Sequence, residues 1–131
     1  MIFVDTSAWF AAHVAEDPGH EAARELILSA STDLVTTDYV VDELLTLLVM
    51  RRRREIAVRI GGDFWASRVC ELVWTKTEDV EAAWTVFTTF NDKQWSFTDC
   101  VSYAVMKRLG ITSAIAFDEH FKQFGFAVVK P

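Results

Sequence analysis

The sequence predicts an α/β fold built on a central, mostly parallel sheet. Short apolar runs alternate with longer stretches of helical periodicity along the chain. About five of these runs have the length of a strand. Strands covered by helices on both faces form continuous apolar runs, as these do. The 131 residues are enough for one domain with its own core. No linker or internal repeat divides residues 1–131, which are therefore expected to form a single domain.

The first half of the chain alternates between the two element types. A helix is expected to start at Thr6 or Ser7, directly after the first apolar run. The turn Asp17-Pro18-Gly19 puts a proline at the opening of the next helix. A break is expected at Gly61-Gly62. In chain order the predicted elements are a strand at 2–4, a helix from residue 6 or 7, a helix at 18–31, a strand at 33–37, a helix from 37 or 38 to 50 and a helix at 54–67.

The second half repeats this alternation. Ser96 is a good N-terminal residue for a helix, and Gly110 is a good C-terminal one. The predicted elements are a strand at 69–74, a helix at 77–90, a loop at 91–95, a helix at 96–110, a strand at 113–117, a short helix at 118–124 and a strand at 126–129.

Composition excludes several classes of protein. Hydrophobic residues make up 51% of the chain, which excludes a disordered protein. No apolar run reaches the roughly 18 residues of a membrane span, and the N-terminus lacks the basic segment of a signal peptide. Cys70 and Cys100 do not form a CxxC pair, so they are interpreted as free thiols. A cytoplasmic protein is therefore expected, with no membrane partner.

The charge distribution leaves one question open. A net charge of −6 argues against the basic surface of most nucleic-acid-binding proteins. Arg51, Arg52, Arg53 and Arg54 nevertheless form one basic block. This block is either the solvated end of a helix, where cations are favoured, or a surface that contacts phosphates.

Four acidic residues lie among apolar segments, where carboxylates are rare unless something pairs with them. They are Asp5, Glu43, Asp99 and Asp118. Asp5 and Asp118 each follow a predicted strand, and ligands of open α/β sheets bind beyond the carboxyl ends of the strands. The other two lie in helices that follow strands or loops at the same edge. The four acids are therefore expected to converge, although they are distant in sequence.

Helix capping is the alternative explanation for three of these acids. Asp5 and Asp118 could each cap the helix that follows, and Ser96-x-x-Asp99 has the spacing of a capping box. Capping does not explain Glu43, which lies in the middle of an apolar helix. Its neighbour Asp42 is rotated about 100° around the helix axis and is expected to face solvent.

Converging carboxylates require a counter-charge. Two of them about 5 Å apart repel by about 3 kcal/mol at an effective dielectric constant near 20. Either their pKa values rise or a divalent cation offsets the repulsion. Oxygen ligands suit Mg²⁺, with Mn²⁺ as the alternative, and such sites retain water molecules that can act as nucleophiles.

Four segments of the chain resemble one known family. They are DTSAW at 5–9, ELLT at 43–46, SFTDCVSYAVMKRLGI at 96–111 and AIAFDEHFKQFGF at 114–126. In this order and spacing the whole chain is similar to PIN domains, and more narrowly to the VapC-type toxins of toxin–antitoxin pairs. The resemblance implies that Asp5, Glu43, Asp99 and Asp118 bind the metal and are catalytic. It also implies supporting roles for Thr6 or Ser7, Thr98 and Asp92.

The resemblance further implies an activity and partners. A protein of this kind would be a Mg²⁺- or Mn²⁺-dependent endoribonuclease, the toxin of a type II toxin–antitoxin pair. It would form a homodimer and bind a cognate VapB-like antitoxin. Its RNA contacts are expected at Arg51, Arg52, Arg53, Arg54 and Trp95, the last as a base-stacking residue.

Two other functions are alternatives to a toxin endoribonuclease. The first is a catalytically silent PIN-like module that binds RNA or a partner without cutting. The second is a phosphotransferase of the haloacid dehalogenase type, which also places an aspartate after its first strand. That chemistry requires a second aspartate where this chain has Ser7, so it is disfavoured.

Overall fold

A computed structural model describes all residues, 1–131, as five strands and seven helices. In chain order these are β1 (Ile2–Val4), α1 (Thr6–His13), α2 (His20–Ser29), β2 (Leu34–Thr37), α3 (Asp38–Met50), α4 (Arg54–Trp65), β3 (Glu71–Val73), α5 (Thr77–Thr89), α6 (Phe97–Leu109), β4 (Ser113–Ile115), α7 (His120–Gln123) and β5 (Ala127–Val129). The α/β class and the number of strands are as the sequence predicts.

The five strands form one sheet in the order β3-β2-β1-β4-β5. Every neighbouring pair is parallel. The central strand β1 lies between β2 and β4, with Phe3 opposite Val35 on one side and Ala114 on the other. Because all strands run the same way, their carboxyl ends share one edge, and the residues that follow β1 and β4 are brought side by side.

The core is formed by the apolar faces that the sheet and helices turn towards each other. A large cluster joins the sheet to α1, α3 and α4, and Trp9, Leu44 and Phe64 are fully buried within it. A smaller cluster lies between α5 and α6. Helices α1, α3 and α4 therefore pack against the sheet, and α5 packs against α6.

Most elements begin and end within two residues of the predicted bounds, and two differences matter for the packing of α4 and the position of Asp118. Helix α4 continues through Gly61 and Gly62 without a break, and Gly61 faces Leu45, where a Cβ atom would lie 3.4 Å from that side chain. Strand β4 ends at Ile115 rather than at residue 117, so Asp118 follows a short loop and not the strand itself. The predicted end of α6 is confirmed, since Gly110 has the left-handed conformation with φ of 70°.

Several large apolar side chains remain on the surface. Trp65 and Trp74 stack on one another with ring centroids 5.7 Å apart, and both are exposed. A second group lies on α5, where Trp84 and Phe87 are exposed although Ala83 beside them is buried. No helix combines the length and the apolar character that a membrane crossing requires.

Candidate active site

Asp5 is buried at the point where β1 ends and α1 begins. Its Oδ2 atom accepts hydrogen bonds from the Ser7 hydroxyl at 3.0 Å and from the Ser7 amide at 3.5 Å, so it caps α1. Its Oδ1 atom is buried and has no hydrogen-bond partner. Burial, the largest cause, together with the charges of Asp99 and Asp118 raises the pKa of Asp5 to about 7.

Asp99 lies in the first turn of α6 and forms the predicted capping box. The Ser96 hydroxyl accepts from the Asp99 amide, and Asp99 Oδ2 accepts from the Ser96 amide, both at 3.0 Å. Burial raises the pKa of this carboxyl, although hydrogen bonds from Ser96 and His120 oppose the rise. Capping occupies Oδ2 alone, so it does not exclude a second role for Oδ1.

The loop after β4 brings Asp118 to the same place. The Asp5 amide donates to the carbonyl of Ile115 at 3.0 Å, and the Phe117 amide donates to the Ser7 hydroxyl at 3.2 Å. These two bonds tie the loop to the start of α1. The charge of Asp118 contributes to the raised pKa values of both Asp5 and Asp99, so the three carboxyl groups are within range of one another's charge.

His120 joins these three aspartates and was not among the predicted site residues. Its Nδ1 atom is 2.7 Å from Asp99 Oδ2 and 3.8 Å from Asp118 Oδ1. The only signal in the sequence is its position two residues after Asp118, which does not reveal that it reaches Asp99 on another element.

Glu43 takes part in none of these contacts. It is half-buried on α3, a helix that packs against α1 and α6. Its carboxylate forms no hydrogen bond or ion pair within the chain. Asp42 beside it is exposed, as expected. Hydrogen bonds through Ser7 and His120 therefore link three of the four predicted acids, whereas Glu43 lies on a neighbouring helix and has no hydrogen-bond partner in the chain.

The predicted supporting residues differ in their surroundings. Ser7 contacts both Asp5 and the loop before Asp118, as described above. The Thr6 hydroxyl is buried without a partner. Thr98 is half-buried, and Asp92 is exposed on the loop before α6; neither side chain forms a hydrogen bond or ion pair within the chain.

Trp95 is buried, whereas a residue that stacks on RNA bases must expose its ring. Only 9% of the residue is exposed. Its indole nitrogen donates to Gln123 Oε1 at 2.8 Å, and its ring lies 4.3 Å from that of Phe124, centroid to centroid. Because both its edge and its face are occupied by the protein, the expected role of Trp95 as an RNA-stacking residue is withdrawn.

The arginine block forms the turn between α3 and α4. Arg53 is paired with Glu16 at 3.4 Å. Arg51, Arg52 and Arg54 are exposed and have no acidic partner within ion-pair distance. Their charge is therefore available to an anionic partner.

The chemistry of the site suits a hard divalent cation. Asp5, Asp99 and Asp118 each have one oxygen engaged by hydrogen-bond donors of the protein and one without such a donor. The unpartnered Asp5 Oδ1 is buried beside two other carboxyl groups, which is costly unless a cation or proton compensates. As they stand, no three acidic, histidine or cysteine side chains are close enough to hold an ion. A cation would have to draw the carboxylates together.

Comparison with known proteins agrees with the fold. The sequence matches the PIN domain family over residues 2–127, and the chain belongs to that family. Its curated relatives are VapC proteins of Mycobacterium tuberculosis. One is the 23S rRNA-specific endonuclease VapC20, which is 36% identical over 131 residues, or 100% of this chain and 99% of the relative.

Two further comparisons support this relationship. The ribonuclease VapC26 of the same organism is 30% identical over 125 residues, which cover 92% of this chain and 89% of that protein. Among solved structures, the crystal structure of M. tuberculosis VapC20, described as a toxin that cleaves the sarcin–ricin loop, superposes with a TM-score of 0.92. That match has 34% sequence identity and covers 100% of both chains.

Proposed function

We propose that this protein is a metal-dependent endoribonuclease and the toxin of a type II toxin–antitoxin pair. The observation that carries the proposal is the group of three aspartates beside the ends of β1 and β4, with Asp5 Oδ1 buried and unpartnered. Full-length similarity to VapC endonucleases supports the same function. Because two of these relatives act on RNA by name, RNA is the substrate to expect.

Asp5, Asp99 and Asp118 would hold Mg²⁺ or Mn²⁺, together with Glu43. A divalent cation in an oxygen-ligand site of this kind activates a water molecule for attack on a phosphodiester. Glu43 is included because its carboxylate is free of other partners and its helix packs against the helices that carry Asp5 and Asp99. The hydroxyl of Ser7 would keep Asp5 in a fixed orientation. Thr6, Thr98 and Asp92 are proposed as supporting residues of the site.

We infer that the substrate is ribosomal RNA of the large subunit. One curated relative is named for 23S rRNA cleavage, and the solved relative for cleavage of the sarcin–ricin loop. The exposed Arg51, Arg52 and Arg54 would contact phosphates, which dominate the affinity for nucleic acids. Replacing any one of them by alanine should reduce the slope of log affinity against log salt concentration by about 1.

The proposal also includes two protein partners. A VapB-like antitoxin would cover part of the exposed apolar surface, for which the stacked Trp65 and Trp74 are the first candidate contacts. The exposed aromatic residues of α5 suit a second copy of the chain in a homodimer. Light scattering of the purified toxin, alone and with antitoxin, tests both. The reaction would take place in the cytoplasm, where free Cys70 and Cys100 stay reduced.

The decisive experiment is cleavage of 23S rRNA in purified ribosomes with Mg²⁺, with Mn²⁺ and with EDTA. Asp99→Asn is the active-site variant. Glu43→Gln tests the acid on α3, and Asp42→Asn is its matched control on the exposed face of the same helix. Discrete fragments that require metal and disappear in Asp99→Asn and Glu43→Gln, but not in Asp42→Asn, support the proposal.

Other outcomes assign the alternatives. If Glu43→Gln cuts as well as the wild type, the metal site is limited to the three gathered aspartates. If the wild type binds RNA but never cuts it, with or without metal and free of antitoxin, the protein is the catalytically silent module. If Asp99→Asn retains full activity, the cleavage comes from a contaminant.

A further inference from the structure

His120 contacts two of the three aspartates from a single position. It begins α7, a helix of four residues that follows the Asp118 loop. Its imidazole Nδ1 lies 2.7 Å from Asp99 Oδ2. Its backbone amide donates to Asp118 Oδ1 at 3.1 Å. The residue therefore connects the loop after β4 with the first turn of α6.

These contacts are confined to one oxygen of each carboxylate. On Asp99 the Ser96 amide and His120 Nδ1 both bind Oδ2. On Asp118 the backbone amide of His120 binds Oδ1, and Nδ1 is also closest to that atom. Asp99 Oδ1 and Asp118 Oδ2 are left without a donor in the chain. A carboxylate that is fixed through one oxygen is oriented, while its other oxygen remains free for a cation.

The hydrogen bond to Asp99 also defines the state of the imidazole. When Asp99 is ionised, as it would be with a cation bound, its carboxylate only accepts hydrogen bonds, so the hydrogen is then on Nδ1. A neutral imidazole then carries its lone pair on Nε2, which takes no part in either contact.

We propose that His120 is a positioning residue of the metal site, which orients Asp99 and Asp118 so that one oxygen of each is available to a divalent cation. This inference rests on the function proposed above. It differs from two other roles. A residue that competes with the cation for Asp99 would weaken metal binding, so its removal would strengthen it. A residue that only stabilises α7 would affect folding and leave metal affinity unchanged.

The test is direct measurement of Mn²⁺ binding, by titration calorimetry and by the electron paramagnetic resonance signal of free Mn²⁺. Three substitutions separate the roles. His120→Asn keeps an amide donor close to the position of Nδ1. His120→Gln moves that donor to the position of Nε2, and His120→Ala removes it. His13→Ala is the control, since the His13 side chain bonds only a backbone carbonyl. His13 is the last residue of α1 and lies about 12 Å from Asp5 by the helical rise.

We expect His120→Ala and His120→Gln to weaken Mn²⁺ binding at least about tenfold, as is usual when the hydrogen-bond partner of a metal ligand is lost. His120→Asn and His13→Ala should bind close to the wild-type value. In RNA cleavage, His120→Ala should require more Mn²⁺ for half-maximal activity and regain most of its rate at saturating Mn²⁺. Urea unfolding in EDTA identifies any variant that does not fold. If His120→Ala is one of these, the Mn²⁺ affinity of His120→Asn can still be compared with that of the wild type.

Three results would overturn the inference. One is wild-type affinity in a folded His120→Ala, and another is equal weakening in the Asn and Ala variants. The third is tighter Mn²⁺ binding without the imidazole, which would make His120 a competitor of the cation. If the wild type binds Mn²⁺ and cuts no RNA, the proposed function fails while the comparison of affinities still decides the role of His120. A wild type that binds no Mn²⁺ overturns both.

Discussion

Substitution of Asp5 by asparagine should stabilise the metal-free protein at neutral and alkaline pH. The pKa of Asp5 is raised from 3.8 to about 7 in the folded state, chiefly by burial. Between these two pH values the folded protein keeps a proton that the unfolded chain has lost. Stability therefore falls as pH rises through this window and is lowest above about pH 7.

The size of the effect follows from the shift in pKa. A rise from 3.8 to about 7 corresponds to about 4 kcal/mol of folding free energy lost by the time Asp5 is fully ionised. Asparagine has the same shape and caps helices as well as aspartate does, but it has no charge to bury. Asp5→Asn should therefore be more stable than the wild type by up to about 4 kcal/mol near pH 8, and by almost nothing below about pH 4.

Urea unfolding in EDTA, repeated from about pH 4 to about pH 8, measures this difference. The control is Asp42→Asn, which removes an exposed carboxylate and should give a profile parallel to that of the wild type. Added Mn²⁺ should restore the stability of the wild type at the alkaline end and leave Asp5→Asn unchanged. Parallel profiles for the wild type and Asp5→Asn in EDTA would refute the argument, since they would mean that ionised Asp5 carries no cost.

Three further predictions concern residues outside the metal site. Asp79 is buried and accepts two hydrogen bonds from Arg108, at 2.8 and 2.9 Å, which lowers its pKa; Asp79→Asn should cost about 2 kcal/mol in urea unfolding at neutral pH. That cost should vanish as the pH falls through the lowered pKa of Asp79, because the wild type then loses the same ion pair. Trp95→Ala should destabilise the protein by about 3 kcal/mol or more without changing the RNA cleavage site, whereas a changed site at unchanged stability would restore its role in RNA binding. Burial raises the pKa of Cys70 to about 12 and that of Cys100 to about 11, so a thiol-specific dye should label neither in the native protein and both in urea; rapid labelling of the native protein would contradict this.

The acids show how far local sequence can lead. A carboxylate inside an apolar segment is costly wherever that segment is buried, so Asp5, Asp99 and Asp118 could be selected without a structure. Capping and metal binding seemed to be competing explanations for them. The structure shows that they are compatible, because each aspartate gives one oxygen to protein donors and keeps the other free.

Surface and interior were predicted less well for aromatic residues. Trp95 lies in a polar loop and was expected to face RNA, yet its ring packs on Phe124 from another element. Trp84 shares the apolar face of α5 with Ala83 and is exposed, because α6 covers only part of that face. Helical periodicity shows which residues share a side of an element, but not how much of that side its neighbours reach.

The sequence by itself determined the alternation of strands and helices, the parallel sheet, the capping of α1 and α6, and the identity of the gathered aspartates. These follow from periodicity and residue chemistry, which act over a few neighbouring positions. Two other features follow from the tertiary structure alone: β4 lies beside β1, and His120 reaches Asp99. Such contacts join residues far apart in the chain, and their geometry depends on how whole elements pack, which no local pattern specifies.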